Sequence, residues 1–462
     1  MITLSTAPKQ RSQVFLGGLF EFKRDPLGFL ERCAQQNGDI AEMRFLTVPF
    51  YFLNHPDWVE YVLVTNHRNF VKRSSGRLLD GVFGSGLFTT SGEFWLSQRR
   101  RTQPAFHHAR IAAYADAMVT QTARMLASWH DGETRDLHRE MMRLSLGIVA
   151  RTLFGADSDA DADDVENAVN VITERFCMEF PIPTSWKLLL PAWTPTPANR
   201  RFRTTVRRLD EIIYRIIKKR EAETQHPNDL LSMLLEAQTD GNNPMRDRQL
   251  RDEVTTLLLT GHETSACALS WTWYLLSQHP EVERKLDDEL YRELRQRLPT
   301  IEDISHMTYT KKVILESLRL YPPAWGMNRV ALNDCEIGGR PVPSGASIAM
   351  SQWVMHRDPR YFDQPALFNP ERWSDDFQKN LPKYAYFPFG GGPRLCIGKE
   401  FTLMEMALVI AAIAQKFRFR LVPGQKIEPE PSITLRPKAG VKVVLSAQIP
   451  PFIRLPDRDS VA

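Results

Sequence analysis

The stretch from Phe387 to Gly398, reading FPFGGGPRLCIG, constrains this chain of 462 residues more than any other. Gly390, Gly391, Gly392 and Pro393 cannot continue a helix or a regular strand, so they form a tight loop whose backbone amides carry no side chains around them. A bulky group can approach such a backbone closely. Between Lys399 and Phe417, residues Phe401, Leu403, Met404, Met406, Ala407, Leu408, Val409, Ile410 and Ile413 make a helix that is apolar nearly all round, hence buried. Cys396 sits just before that helix begins. Unpaired amides, the positive end of the helix dipole and Arg394 two residues away all favour a thiolate, so a depressed thiol pKa is predicted. A buried thiolate wants a metal.

Other uses of the loop fit poorly. A phosphate-binding loop places four residues between its glycines and then Lys-Ser or Lys-Thr, whereas Gly392 and Gly398 enclose five and Lys399 precedes Glu400. A zinc site needs a second cysteine or histidine nearby, and the window has none. An inert core cysteine leaves three glycines and an arginine unexplained. The pattern F-x-x-G-x-R-x-C-x-G, met by Phe389, Gly392, Arg394, Cys396 and Gly398, resembles the haem-ligand signature of the cytochrome P-450 haem-thiolate monooxygenases. Thiolate ligation of haem is established for that family, and the resemblance brings it to Cys396.

Composition sets outer bounds. With 43% hydrophobic residues the chain can bury a large core, and no linker, repeat or low-complexity segment divides it, so residues 1–462 are read as one domain. The aspartate-rich stretch from Ala156 to Glu166 is short enough to be a loop between helices. A net charge of +4, with bases dispersed among nearly as many acids, gives nucleic-acid binding no support. The five cysteines, at 33, 177, 267, 335 and 396, are odd in number and lack C-x-x-C spacing, which suits a reducing compartment. The N-terminus has no apolar run approaching the ~20 residues of a membrane span and no signal-peptide pattern. A soluble, cytoplasmic, bacterial-type member without a transmembrane anchor is expected.

Along the chain, a helix ending near Asn37-Gly38 precedes paired strands at Ile40 to Phe45 and Phe50 to Leu53, and His55-Pro56 opens another helix. The Gly- and Ser-rich stretch from Lys72 to Gly92 carries Leu78, Leu79, Val82, Phe83, Leu87 and Phe88, too apolar for a solvated loop. Either these residues plug the protein's own core or they touch a ligand; the family places its first substrate-contact loop here. Trp95 and Arg99 lie one helical turn apart with Arg100 and Arg101 beside them, which alone reads as a solvated basic face. The resemblance instead implies that Trp95 and Arg99 meet a haem propionate. From Thr173 to Pro197, Phe176, Phe180, Trp186, Leu188 to Leu190 and Trp193 lie among prolines that forbid one long helix. This segment is read as a lid between two helices over the substrate entrance.

Leu250 to Leu276 reads as a long apolar helix stopped by His279-Pro280, with Gly261, His262, Glu263, Thr264 and Ser265 at its middle. Mid-helix glycine costs about 1 kcal/mol relative to alanine, and burying a carboxyl costs more, so a purely structural helix would not select these residues. A kinked core helix with satisfied polar groups is the plain alternative. His262-Glu263 opens a zinc-protease H-E-x-x-H pattern, but Ala266 stands where the second histidine belongs. What remains is similar to the family's A/G-G-x-E/D-T segment, which implies that Thr260 and Gly261 line the haem and that Glu263 and Thr264 are the acid and alcohol that relay protons to dioxygen. Thr260 departs from the family, which has Ala or Gly there. Its hydroxyl either bonds back to the Thr256 carbonyl or points toward a ligand.

Lys311 to Leu320 is a helix halted by Tyr321-Pro322-Pro323, with Glu316 and Arg319 on one face. Together with Arg372 in Phe368-Asn369-Pro370-Glu371-Arg372-Trp373 they resemble the family's E-x-x-R helix and P-E-R loop, a structural trio behind the haem. A hairpin is read at Glu336-Ile337 and Arg340 to Pro343, with strands at Ala346 to Ser351, Phe417 to Val422, Ser432 to Arg436 and Val441 to Ser446. The resemblance further places Arg329 at a propionate, and Phe88, Leu259, Thr260, Ala324, Trp325 and Leu435 at the substrate, with Ile433 and Thr434 in the last substrate-contact turn.

The expected architecture is mostly α with minor β, a single-domain cytochrome P-450 fold holding haem b (iron protoporphyrin IX) through Cys396. The expected activity is insertion of one oxygen atom from O2 into a hydrophobic fatty acid, terpenoid or steroid-like molecule. No flavin or iron–sulfur segment is read in these residues, so electrons are expected from a separate donor: a ferredoxin or flavodoxin with its reductase, or a flavin reductase. Arg99, Arg100, Arg101 and Lys399 are the candidate docking cations for an acidic donor, and the chain is expected to act as a monomer. A peroxide-driven enzyme or isomerase would not need Glu263 and Thr264, and a haem sensor or electron carrier would close the distal face.

Overall fold

The computed structural model describes residues 16–45, 48–72, 76–156, 161–179, 194–224, 229–239, 245 and 247–448. Phe180, Trp186, Leu188 to Leu190 and Trp193 of the expected lid lie outside the described residues. The helices on either side, Ala162–Glu179 and Pro197–Glu221, are in place. The second starts where Pro197 occupies the first turn and the Thr196 side chain accepts from Asn199 N.

Two helices organise the core. Asp247–Gln278 runs 32 residues before His279-Pro280 stops it, and it packs along Leu137–Phe154. Lys399–Ala414, the helix after the cysteine loop, has Met406, Leu408, Val409, Ile410, Ala411 and Ile413 fully buried and packs on His108–Ala127. It is apolar on every side because helices and strands surround it. Thr308–Leu320 ends as predicted at Tyr321 and the two prolines.

The β structure lies to the side of this bundle. Ile40–Phe45 pairs antiparallel with Val48–Leu53, which in turn runs parallel to Ser347–Met350; Met327–Ala331 and Phe70–Val71 complete a five-stranded sheet. Thr134–Asp136, Lys442–Ala447 and Phe417–Leu421 form a second sheet, and the Cys335–Ile337 and Arg340–Val342 hairpin stands as read. Two expectations need correcting. The stretch from Lys72 to Gly92 is not all loop, because Gly76–Phe83 is a helix. The strand expected from Ser432 begins only at Leu435, since Ser432 N and Oγ both turn to the Thr434 carbonyl. No helix among the described residues is long and apolar enough to cross a membrane, and all five cysteines are free thiols.

Candidate active site

The cysteine loop is held from behind by a chain of buried polar contacts. Glu316 accepts from Arg319 Nε and Nη2, both at 2.8 Å, and neither side chain has any exposed surface. Arg372 Nε reaches the same carboxylate at 3.4 Å, so the structure brings the three predicted residues together. It adds two donors that sequence reading missed, Trp373 Nε1 at 2.9 Å and Asn369 N at 3.0 Å. Arg319 Nη1 donates onward to the His356 carbonyl, and the His356 ring accepts at Nε2 from Phe387 N, the first residue of the loop. Burial keeps His356 neutral, as that acceptor role requires.

Within the loop, Cys396 N donates to Phe389 O at 3.0 Å. The glycines serve the protein more than a ligand. A Cβ at Gly392, where φ is +64°, would lie 1.8 Å from the Leu63 carbonyl oxygen, and one at Gly391 would lie 2.4 Å from the Tyr384 ring. Gly398 is the open position: a Cβ there meets nothing nearer than 3.9 Å, with Cys396 Sγ at 4.0 Å.

Cys396 retains exposed surface, yet burial is the main influence on its thiol. A side chain facing an internal opening satisfies both observations. The expected low pKa is not found. Burial raises it, outweighing the opposing pull of the Gly398 N–H and Arg99. The helix end and one arginine do not compensate for desolvating a thiolate, and a bond from sulfur to a metal is what would hold it deprotonated.

The long helix is left uncovered at one strip. From Leu250 to Trp273 every residue is buried except Thr260, Gly261 and Thr264. Both threonine hydroxyls bond back one turn at 2.7 Å, Thr260 Oγ1 to Thr256 O and Thr264 Oγ1 to Thr260 O. Gly261 itself is explained by packing, since a Cβ there would stand 3.3 Å from Val149 Cγ2. Glu263, almost fully buried, accepts from Thr434 Oγ1 at 2.7 Å; burial raises its pKa, while that bond and Arg436 oppose the rise.

Four cations converge without a carboxylate partner among the described residues. Arg329 is buried and bonds only to the Asn328 carbonyl; burial pulls its pKa down to about 10. Arg394 donates to Thr90 O and Ser91 Oγ and stacks 4.3 Å over the buried Trp95 ring, its pKa also lowered by burial to about 10. Lys72, which sequence reading missed, donates to Phe88 O at 2.6 Å and is pulled down to about 7 by burial and by Arg329 and Arg394. Arg99 is lowered by burial and feels Cys396. Cations partly withdrawn from water without a counter-charge are costly, and two carboxylates on one ligand would relieve part of that cost. A haem, with its two propionates and an iron for the cysteine, has that chemistry.

Substrate candidates divide. Phe88 is half-buried with Lys72 Nζ 3.3 Å from its ring centre, and Ala324 is exposed; Leu259 is nearly closed off. Leu435 is fully buried in the cluster around Phe22, Leu27 and Trp353, and Trp325 packs in the same cluster with its Nε1 bonded to Ser432 O at 2.9 Å. Leu435, with no exposed surface, is not placed to touch a substrate. Of the docking cations, Arg100 is exposed, Lys399 pairs with Glu400 at 3.3 Å, and Arg99 turns toward Cys396.

The family model for cytochrome P-450 matches residues 8–444. The chain belongs to this family. Among its relatives, cyclooctatin synthase of Streptomyces melanosporofaciens is 38% identical over 89% of both chains. Cyclooctat-9-en-7-ol 5-monooxygenase of the same organism is 38% identical over 91% of both. Pentalenene oxygenase of Streptomyces avermitilis is 30% identical over 94% of this chain and 96% of that one. Among solved structures, the retinoic acid-bound cyanobacterial CYP120A1 superposes with a TM-score of 0.82 at 27% identity, over 94% of this chain and 98% of the other. The heme domain of cytochrome P-450DA shares the fold, with a TM-score of 0.84 at 23% identity over 95% and 97%. This cytochrome P-450 is a monooxygenase, mostly helical, that carries a thiolate-ligated haem.

Proposed function

We propose that the protein inserts one oxygen atom from O2 into a C–H bond of a cyclic terpenoid hydrocarbon or alcohol, using electrons from a separate ferredoxin or flavodoxin. The observation that carries the site is the set of four cations without a carboxylate partner among the described residues, Lys72, Arg329 and Arg394 near one another and Arg99 near Cys396, together with the strip of Thr260, Gly261 and Thr264 left uncovered on the long helix. Cys396 Sγ would ligate the iron; Lys72, Arg329 and Arg394, with Arg99 and Trp95, would receive the propionates. When bound, the haem would supply the activation of dioxygen, and dioxygen the oxygen atom transferred.

The protein's own groups do the rest. Phe88 and Ala324 offer an apolar lining, and Thr260, whose hydroxyl is spent on Thr256 O, adds a methyl that narrows the approach. Thr264 likewise donates to a carbonyl, so its oxygen presents acceptor lone pairs on the uncovered strip. Glu263, whose pKa is raised by burial, is the acid of this helix suited to hold and pass on a proton. The terpenoid class follows from apolar candidates and from relatives named for cyclooctat-9-en-7-ol and pentalenene.

The test is a panel of cyclic terpenoids and fatty acids, read by the low-spin to high-spin change and by products formed with a ferredoxin system under isotopically labelled dioxygen. One labelled oxygen in a terpenoid product is expected. Fatty-acid products alone, or equal turnover with peroxide and no donor, would overturn the reading. Cys396→Ala should abolish the red-shifted band of the reduced CO complex, and survival of that band would remove Cys396 as the ligand.

A further inference from the structure

We propose that Thr434 is the positioning residue for the acid Glu263, fixing its carboxylate from the C-terminal turn and so governing when it can exchange a proton. The inference rests on the reading of Glu263 as the proton-delivering acid.

The acid and the alcohol of the long helix do not touch. Neighbouring helical residues point about 100° apart, so Thr264 lies on the uncovered strip and bonds Thr260 O while Glu263 faces the turn at Ser432 to Leu435. Among the described residues, the one hydrogen bond that Glu263 receives at its side chain comes from Thr434 Oγ1, at 2.7 Å, to Oε1. Oε2 has none.

That donor is held rigidly. The Thr434 carbonyl accepts from Ser432 N and Ser432 Oγ at 3.0 and 2.8 Å, Trp271 Nε1 bonds the next carbonyl at 2.8 Å, and Leu435 N donates to Pro323 O. Trp325 Nε1 fixes the Ser432 carbonyl from the other side. A hydroxyl on a turn clamped at the carbonyls of Ser432, Thr434 and Leu435 is a preorganised donor, the arrangement that orients a working carboxylate.

The surrounding charges do not substitute for it. Arg436 is near enough to favour the carboxylate, but its guanidinium bonds Glu430 at 2.6 Å and Asn170 Oδ1 at 3.3 Å. Cys267, one turn along the helix, places Sγ 3.7 Å from Thr434 Oγ1, and Cys177 of the helix Ala162–Glu179 feels the Glu263 charge. Burial favours the neutral acid, and Thr434 is the direct hydrogen bond that opposes it. Without that hydroxyl, Glu263 would stay protonated to higher pH and would be free to leave the turn.

The experiment uses the full haem-loaded enzyme with Thr434→Val, Thr434→Ala and Thr434→Ser. Infrared difference titration of the oxidised enzyme, with the Glu263 carboxyl band assigned through Glu263→Gln, reads the acid directly. Val and Ala should move the midpoint upward and Ser should restore it. The pH profile of coupling to product over peroxide should move with the midpoint. An unmoved midpoint in Val and Ala, or a movement that Ser does not reverse, overturns the inference. If Glu263→Gln leaves coupling intact while Val still moves the band, the proton-delivery reading fails and the Thr434 contact stands. If Glu263→Gln uncouples turnover and Val moves neither band nor profile, Thr434 alone is refuted.

Discussion

Glu316→Ala would leave Arg319 Nε and Nη2, Arg372 Nε, Trp373 Nε1 and Asn369 N without their acceptor. Water cannot replace it, because the Glu316 and Arg319 side chains have 0% exposure. Breaking a buried ion pair from one side costs about 3–5 kcal/mol. Arg319 keeps the carbonyls of His356, Pro365 and Leu367, which holds the cost inside that range. An unfolding entropy of ~2.1 cal/mol/K per residue gives about 1 kcal/mol/K for 462 residues, so Tm should fall by about 3–5 °C. The assay is calorimetry of the haem-loaded enzyme at matched scan rates. Arg372→Ala is the internal comparison: its bond to Glu316 is the long one, and its Nη1 is also spent on Asp363 O. Its Tm should fall by less than half as much. Equal losses in the two variants, or no loss in Glu316→Ala, would refute the account of a trio organised on Glu316.

Other expectations follow from single contacts. Thr260→Ala should shift product regiochemistry or admit bulkier substrates with coupling intact, because the hydroxyl bonds back to Thr256 O and acts through its bulk; an unchanged product distribution across the panel would refute this. Lys72 has a pKa of about 7 in the protein alone, and a propionate would raise it, so haem binding takes up a proton and haem affinity should fall as pH rises above 7. Lys72→Met should abolish that dependence in haem-transfer assays to excess apomyoglobin at about pH 6 and about pH 9, a window on either side of the lowered value; the same slope in both proteins would exclude Lys72.

The cysteine loop and its helix were legible because glycine, proline and an unbroken apolar run have few structural meanings. The middle of the long helix was legible as anomalous for the same reason, since Glu263 and Thr264 are poor choices there. Partners were not. Trp373, Asn369 and His356 meet Glu316, Arg319 and Phe387 across long loops, and no local pattern encodes such contacts. Lys72 beside a Gly/Ser-rich stretch reads as solvated until the fold encloses it. Leu435 reads as a ligand contact from its apolar side chain and place in the turn, but the turn's direction, set by Ser432 and Trp271, buries it. The Cys396 thiol was misjudged because dipole and charge can be read locally, whereas desolvation depends on everything packed around the sulfur.

The parallel pairing of Val48–Leu53 with Ser347–Met350 imposes an order on synthesis. Phe50 lies opposite Ser347, so the N-terminal hairpin leaves the ribosome with its central edge unpaired until nearly 300 further residues have been made. At about 5–20 residues per second that wait is roughly 15–60 s. A two-stranded hairpin is marginal in water, and an open edge invites pairing with another chain. Yield in a heterologous host should therefore depend on chaperone capacity and translation rate, whatever the stability of the finished enzyme.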